Sequence, residues 1–299
     1  MVSNHYRKSH SLYEDVSAAS SQAVHYDEKL RELISFKQLP ASLEATDKEY
    51  FLQLVDLVAQ SGAREPINKS LGLTPEDLRR RSCLQTRLSI SSGLAFVAEL
   101  PGRRLLGFGL LMDEATCNVY SSELQELLQQ LDQEHQFGLT HKLRADAALL
   151  KEANGRVKEN FRANSHEAST EAGKKGEVHV MLLGTNHGFV QKTKYMSHFC
   201  DFFLGVVDCL GYAACVAECT HPKSLQVCSM AGFRVTAVLE NVSDLKMSHC
   251  AESLLQGQAC EYFANFKEAT YGQDSISIMK KVFGEEKQSR GACIARSRL

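Results

Sequence analysis

The stretch from Glu177 to Phe233 restricts the fold more than any other part of the chain. It reads as strand, turn, helix, strand, helix. Val178, Val180, Leu182 and Leu183 form an apolar strand after a polar segment. Gly184-Thr185-Asn186-His187-Gly188 then breaks the strand with turn-forming residues. From Tyr195 onward the apolar side chains return at helical spacing, as Phe199, Phe202, Phe203, Val206, Val207 and Leu210. Gly211 stands where a left-handed helix cap is expected. Ala213 to Ala217 read as a second short strand beside the first, and His221-Pro222 turns the chain into a short helix over Leu225 to Met230. Ala231-Gly232-Phe233 closes the unit. A strand that feeds a helix through a tight turn aims the first backbone N–H groups of that helix at one point. With the helix dipole this makes an anion site suited to a pyrophosphate, although many α/β proteins use the same unit as plain scaffold.

The rest of the chain adds a sheet around this unit. Leu33, Ile34, Phe36 and Leu39 predict a first strand, and Thr46 with Glu49 predicts a capping box for a helix that carries Phe51, Leu54, Val55 and Val58 on one face. Ser61-Gly62 stops that helix, and Ala63 to Asn68 read as a short loop. Thr74, Pro75 and Asp77 start another helix, with Thr74 as N-cap, a proline at its first position and Asp77 as the box acid. Leu94 to Leu100 and Leu105 to Met112 are two strands joined through Pro101-Gly102 as a hairpin. Residues 121–176 read as an insertion. One helical face carries Leu124, Leu127, Leu128 and Leu131, with Ser122 and Gln125 as its capping box. A second helix is expected from Lys142 to about Val157, with a polar tip from Arg162 to Lys175. Val235 to Leu239 and Ile276 to Met279 complete the strands. Residues 1–27 are expected to be a disordered polar segment, 28–284 the folded domain and 285–299 a flexible tail.

Composition removes several function classes. A formal net charge of −2 gives no basic footprint for nucleic acid. The Arg79-Arg80-Arg81 run reads as a solvated helix face. The most apolar run, Phe199 to Ala217, is interrupted by Asp201 and Asp208, so no membrane span is expected. The N-terminus lacks an apolar signal core, and Glu14 and Asp15 argue against a transit peptide. No two of the ten cysteines form a Cys-x-x-Cys pair. Cys209, Cys215 and Cys219 sit in apolar surroundings and read as reduced core thiols. The cysteine and histidine spacings, including His179, His187, His198 and His221, match no metal framework, so no metal is expected.

With these elements in order, the chain resembles the GNAT superfamily of acetyl-CoA-dependent N-acetyltransferases. The likeness runs most strongly to the arylalkylamine (dopamine-type) enzymes of insects and related invertebrates. It covers about Leu33 to Phe283 apart from the insertion. It is carried by Arg64-Glu65-Pro66-Ile67-Asn68-Lys69-Ser70-Leu71, similar to a Glu-Pro-Leu-Asn loop of the family, and by Leu106-Gly107-Phe108-Gly109-Leu110, like its third strand. The run from Glu177 to Phe233 adds to it, as do Tyr262, Phe266, Lys267 and Gly272, which resemble the last hairpin. The resemblance implies an α/β (mixed α+β) fold, with a central mixed β-sheet flanked by helices and a helical insertion.

It also implies acetyl transfer from acetyl-CoA to a primary amine, an arylalkylamine by likeness, in a monomer or homodimer. Such chemistry needs a group to deprotonate the amine, donors for the tetrahedral oxyanion and a proton for the departing thiolate. The resemblance places the general base at Glu65, and the following proline independently predicts an extended, fixed backbone there. Carried over in the same way, two hydroxyls fall at Thr220 and Ser224, with Ser224 as proton donor to the thiolate or polariser of the thioester. Both positions equally suit helix capping. The implied cofactor contacts are Leu182 and Leu183 in the strand and Gln191, Lys192, Thr193, Lys194, Tyr195 and Met196 in the phosphate loop. That loop departs from the family pattern of Arg/Gln-x-x-Gly-x-Gly/Ala, because Lys194 replaces the glycine and Met196 the small residue. The missing glycines leave a second function class open, a non-catalytic acyl-CoA-binding or interaction module. A polyamine acceptor or a longer acyl donor is a third option. For location, the cytosol is the first expectation and the peroxisome the second, since Ser297-Arg298-Leu299 resembles a Ser-Lys-Leu address.

Overall fold

Strands β2 (Ala95–Leu100) and β3 (Arg104–Asp113) are buried along almost their whole length. A hairpin with no polar face must be covered on both sides, and the helices do this. The computed structural model describes residues 33–149, 174–186, 192–242, 266–270 and 272–283, without the side chains of 192–194 and 267. Its remaining strands are β1 (Ser35–Gln38), β4 (Lys175–Thr185), β5 (Tyr212–Cys219), β6 (Arg234–Glu240) and β7 (Ser275–Val282). They form one sheet in the order β1-β2-β3-β4-β5-β7-β6. Every neighbouring pair is antiparallel except β4 and β5, which run parallel.

In chain order the helices are α1 (Leu43–Thr46), α2 (Lys48–Gly62), α3 (Pro66–Ser70), α4 (Pro75–Ser91), α5 (Glu114–Gln133), α6 (137–149), α7 (Lys192–Cys209), α8 (Pro222–Met230) and α9 (Phe266–Ala269). On one face of the sheet, Tyr195, Phe199, Phe203 and Val207 of α7 pack on Phe96, Leu111, Val178 and Cys215. Of the periodic apolar residues, these four are the buried stripe of α7, Phe202 and Val206 are partly buried beside it, and Leu210 is exposed just past its end. On the other face, Leu54 and Val58 of α2 cover Val97, Phe108 and Leu110. Beside them α4, α5 and α6 close over Met112, Val216 and Ile278. No described helix is long and apolar enough to cross a membrane.

Several local expectations are corrected. Helix α2 is capped by Asp47, which accepts from the Tyr50 N–H at 3.1 Å, and not by Thr46. Thr46 is the last residue of α1, and its hydroxyl donates back to the Ser42 carbonyl at 3.0 Å. Ser122 and Gln125 are not a cap either. The chain passes from β3 into α5 at Asp113, whose carboxylate accepts from the Thr116 N–H at 2.9 Å. The intervening helices therefore begin at Glu114, with α6 following from residue 137 rather than Lys142. The segment after Glu65 is a short helix, α3, started by Pro66, rather than an open loop. Cys209 is exposed at the end of α7, whereas Cys215 and Cys219 are buried as expected. The Thr74–Asp77 capping box and the left-handed Gly211 are present as predicted.

Candidate active site

The position of Glu65 follows from two helix ends. Helix α2 stops at Gly62, and the Asn68 side-chain amide donates to the Gly62 carbonyl at 2.9 Å, tying α3 against that end. Pro66 occupies the first turn of α3, which fixes Glu65 in an extended conformation with φ −58° and ψ 135°. Glu65 thus stands at the N-cap of α3, but its carboxylate makes no bond to its own helix. It turns instead to the end of β5, where the Thr220 hydroxyl donates to Oε2 at 2.8 Å. Residues 155 positions apart in the chain are joined there.

Thr220 is only 4% exposed, so its hydroxyl has few partners other than this carboxylate. One residue later His221 opens α8. Its Nδ1 accepts from the Lys223 N–H at 3.0 Å. Ser224 completes the cap, since its hydroxyl donates to the His221 carbonyl at 2.7 Å and accepts from the His221 N–H at 3.3 Å. Glu65, Thr220 and Ser224 all line one cavity of about 1620 Å³.

One arm of this cavity comes from the sheet itself. Strands β4 and β5 pair from Lys175 with Tyr212 up to Val180 with Ala217, and no pair follows. Beyond that point Leu182, Leu183 and Gly184 pair only with β3, as partners of Leu110, Gly109 and Phe108. The two parallel strands therefore diverge, and the backbone of residues 182–185 borders the opening together with Glu218 and Cys219. Gly184 is required at this edge, since a Cβ there would meet the Phe108 ring at 2.6 Å and Ser61 Oγ at 2.8 Å. The other arm runs under α4, α5 and α6, where Arg81, Gln85, Tyr120 and Asp146 line the wall.

The electrostatics follow from this enclosure. Burial pushes the Glu65 carboxyl above its ordinary value, the Thr220 hydrogen bond opposes that, and the Asp146 charge adds to it. Burial also lowers the His221 imidazole, helped by the Lys223 charge. The Cys219 thiol is pushed far up, first by its hydrogen bond with Cys228 and then by burial, so it is no nucleophile at neutral pH.

The structure thus brings together Glu65, Thr220, Ser224, Leu182 and Leu183. Met196 is buried at the edge of the same cavity. Tyr195 is fully buried in the core, with its ring parallel to that of Phe199 at 6.2 Å. Gln191 and the turn at 187–190, the side chains of Lys192, Thr193 and Lys194, Tyr262 and the tripeptide 297–299 lie outside the described residues. Sequence reasoning missed the divergence of β4 from β5 and the Arg81, Tyr120 and Asp146 group. The run of three arginines at 79–81 was the only signal for the latter. Arg79 and Arg80 are solvated, whereas Arg81 is the buried member.

No protein-family model matches the chain, and no relative is found among curated protein sequences. Solved structures do match it. Arylalkylamine N-acetyltransferase 7 of the mosquito Aedes aegypti, described as putative, superposes with a TM-score of 0.54 at 10% identity. That match covers 83% of this chain and 87% of the other. Arylalkylamine N-acetyltransferase 2 of the same mosquito gives 0.52 at 17% identity, over 84% and 99% of the two chains. The polyamine N-acetyltransferase of Drosophila melanogaster gives 0.50 at 16% identity, over 84% and 100%. The chain therefore has the GNAT fold of these acetyltransferases, as a mixed α/β sheet flanked by helices.

Proposed function

We propose that the protein is an acetyl-CoA-dependent N-acetyltransferase acting on a primary amine, with Glu65 as general base. The observation that carries this reading is the Glu65–Thr220 pair at the opening between β4 and β5. A carboxylate at a helix start ordinarily caps the helix, and this one faces a cavity and a buried hydroxyl instead. The unpaired edge of residues 182–185 fits an extended chain bearing amides, such as the arm of coenzyme A that carries the thioester, added beside β4 as a strand would be.

In the proposed reaction a neutral amine nitrogen attacks the thioester carbonyl, forming the new C–N bond. Glu65 takes the nitrogen's proton, directly or through one water, and its raised proton affinity makes it a stronger base than a solvated carboxylate. Thr220 holds the accepting carboxylate in place. The tetrahedral intermediate then expels the thiolate, which takes a proton from Ser224 as its hydroxyl leaves the His221 carbonyl, and the proton held by Glu65 returns through water to the serine oxygen, so that both groups end as they began.

The acceptor we assign is an arylalkylamine, as the names of the two mosquito proteins indicate for those enzymes. A second reading, a polyamine, is favoured by Glu114, an exposed carboxylate at the start of α5 that lines the same cavity as Glu65. The first experiment is binding. Acetyl-CoA at about a hundred times its dissociation constant stabilises a fold by roughly 2.7 kcal/mol. A folded protein whose melting temperature is unmoved by millimolar acetyl-CoA would refute the transferase and leave a fold without that ligand.

A further inference from the structure

Two side chains on the cavity wall each carry a buried polar atom with no hydrogen-bond partner among the described residues, Ser61 Oγ and Asn68 Oδ1. Such atoms cost free energy, and each calls for an explanation. Ser61 lies inside α2, where a hydroxyl can turn toward a carbonyl of the preceding turn. Asn68 has no such freedom. It is 6% exposed, and its Nδ2 donates to the Gly62 carbonyl at 2.9 Å. That carbonyl only accepts, so the amide is held in one orientation, with Oδ1 as its unused end. Glu65 shares the same carbonyl, its own N–H donating to it at 3.0 Å. Glu65 is the N-cap of α3 and Asn68 its third residue, positions that reach each other across the first turn of a helix. The carboxylate and the unpaired amide are thus neighbours on one wall of one cavity.

An amide oxygen accepts and never donates, so what fills it is a donor. The thioester carbonyl and the thiolate are acceptors and cannot fill it. The amine nitrogen carries donors, and it is the reacting group that comes to Glu65. We propose that Asn68 Oδ1 accepts a hydrogen bond from the attacking nitrogen and makes the site specific for primary amines. The inference rests on Glu65 being the base. Once the nitrogen of a primary amine has bonded to the thioester carbon, it bears two hydrogens and a positive charge. Glu65 removes one of them. The other stays on nitrogen, held by Asn68 Oδ1, and becomes the N–H of the product amide. A secondary amine has a single hydrogen at this stage. Glu65 takes it, and Asn68 Oδ1 is left unpaired. A carbonyl suits the task better than a second carboxylate, because it holds an N–H without taking its proton.

The test compares acetylation of phenethylamine with that of N-methylphenethylamine, and of putrescine with that of N,N′-dimethylputrescine. The enzymes are the parent, Asn68→Leu and Asn68→Asp. Leucine is close to asparagine in shape, so any steric rejection of the methyl group is kept while the oxygen is lost. Aspartate keeps the oxygen and loses only the donor to Gly62. In both variants the Gly62 carbonyl retains the Glu65 N–H. The ratio of kcat/KM for the primary over the methylated amine falls several-fold, up to about tenfold, in Asn68→Leu, as one hydrogen bond is worth. It stays at the parent value in Asn68→Asp. An unchanged ratio in Asn68→Leu overturns the proposal even if both rates drop, because a structural brace would slow the two amines alike. A ratio lost in both variants assigns the effect to the Gly62 bond and overturns it as well. If Asn68→Leu fails to fold, Asn68→Val is read against the same outcomes. Glu65→Gln, run alongside, separates the two assignments. Parental turnover there refutes the base, whereas a slow Glu65→Gln with an unchanged ratio in Asn68→Leu refutes only the role of Asn68. Acetylation of none of these amines by the folded parent refutes both.

Discussion

Glu65→Gln separates stability from catalysis at one atom pair. The Glu65 carboxyl takes up a proton more readily when folded than its ordinary value of 4.5, chiefly because of burial. A raised folded value means that the folded state binds the extra proton between the unfolded midpoint and the folded one. Stability therefore falls as pH rises through that window, and the full penalty is present above the folded midpoint. Each pH unit of displacement is about 1.4 kcal/mol. For a chain of this size that corresponds to roughly 3–5 °C in melting temperature. Glutamine cannot ionise, and its Oε1 can still accept from the Thr220 hydroxyl. The variant should therefore melt above the parent at pH 8, and the difference should close as pH falls toward the unfolded midpoint. Over the same range kcat/KM should drop about a hundredfold or more and recover partly at high pH, where free amine is abundant. The assay is a set of paired thermal melts from pH 4 to 9, with initial rates alongside. A melting difference that does not depend on pH, or a variant less stable than the parent at pH 8, would refute the reasoning.

Other outcomes follow from single contacts. Ser224→Ala removes both bonds to His221 and should cost about 1 kcal/mol through the α8 cap, read by denaturant unfolding. As the proposed proton donor, the same residue should slow turnover while acetyl-CoA affinity holds, and parental values of both would end both roles. Gly184→Ala places a Cβ against Phe108 and Ser61 and should destabilise by about 1–3 kcal/mol, with a lower urea midpoint as the readout. Arg81→Met strands Asp146 and should cost about 3–5 kcal/mol, read in the same way. A loss under 1 kcal/mol there would mean that the pair is not enclosed.

The strand–helix–strand unit was legible because its signals are local. The apolar periods of 178–183 and 195–210, the left-handed Gly211 and the Pro222 start each act within a turn of the chain. Glu65 and Thr220 were each singled out only through family resemblance, and their contact was not foreseen, since no local pattern links residues 155 apart. The divergence of β4 from β5 was not legible, because both strands continue past Val180 and Ala217 without a break in the sequence and only their pairing partners change. The caps at Asp47 and Asp113 were misassigned for a physical reason. Thr46 stands beside Asp47 and suits the cap equally well, whereas Ser122 lies inside α5, more than two turns past Asp113. The backbone decides between them, extended at Asp113 and departing from the helical region at Asp47. Arg81 lies within a run that looks solvated, and its burial depends on α6 reaching it from 65 residues away.

Direct detection of acetyl transfer tests the central claim. The purified chain is incubated with acetyl-CoA and a panel of arylalkylamines and polyamines, and the acetylated amine and released thiol are quantified together by mass spectrometry and thiol titration. The account predicts that the two products appear in equal amounts with at least one amine, and that Glu65→Gln at neutral pH makes both about a hundredfold or more slower. Turnover by Glu65→Gln equal to that of the parent, or no product from any amine by a folded chain that binds acetyl-CoA, would contradict it.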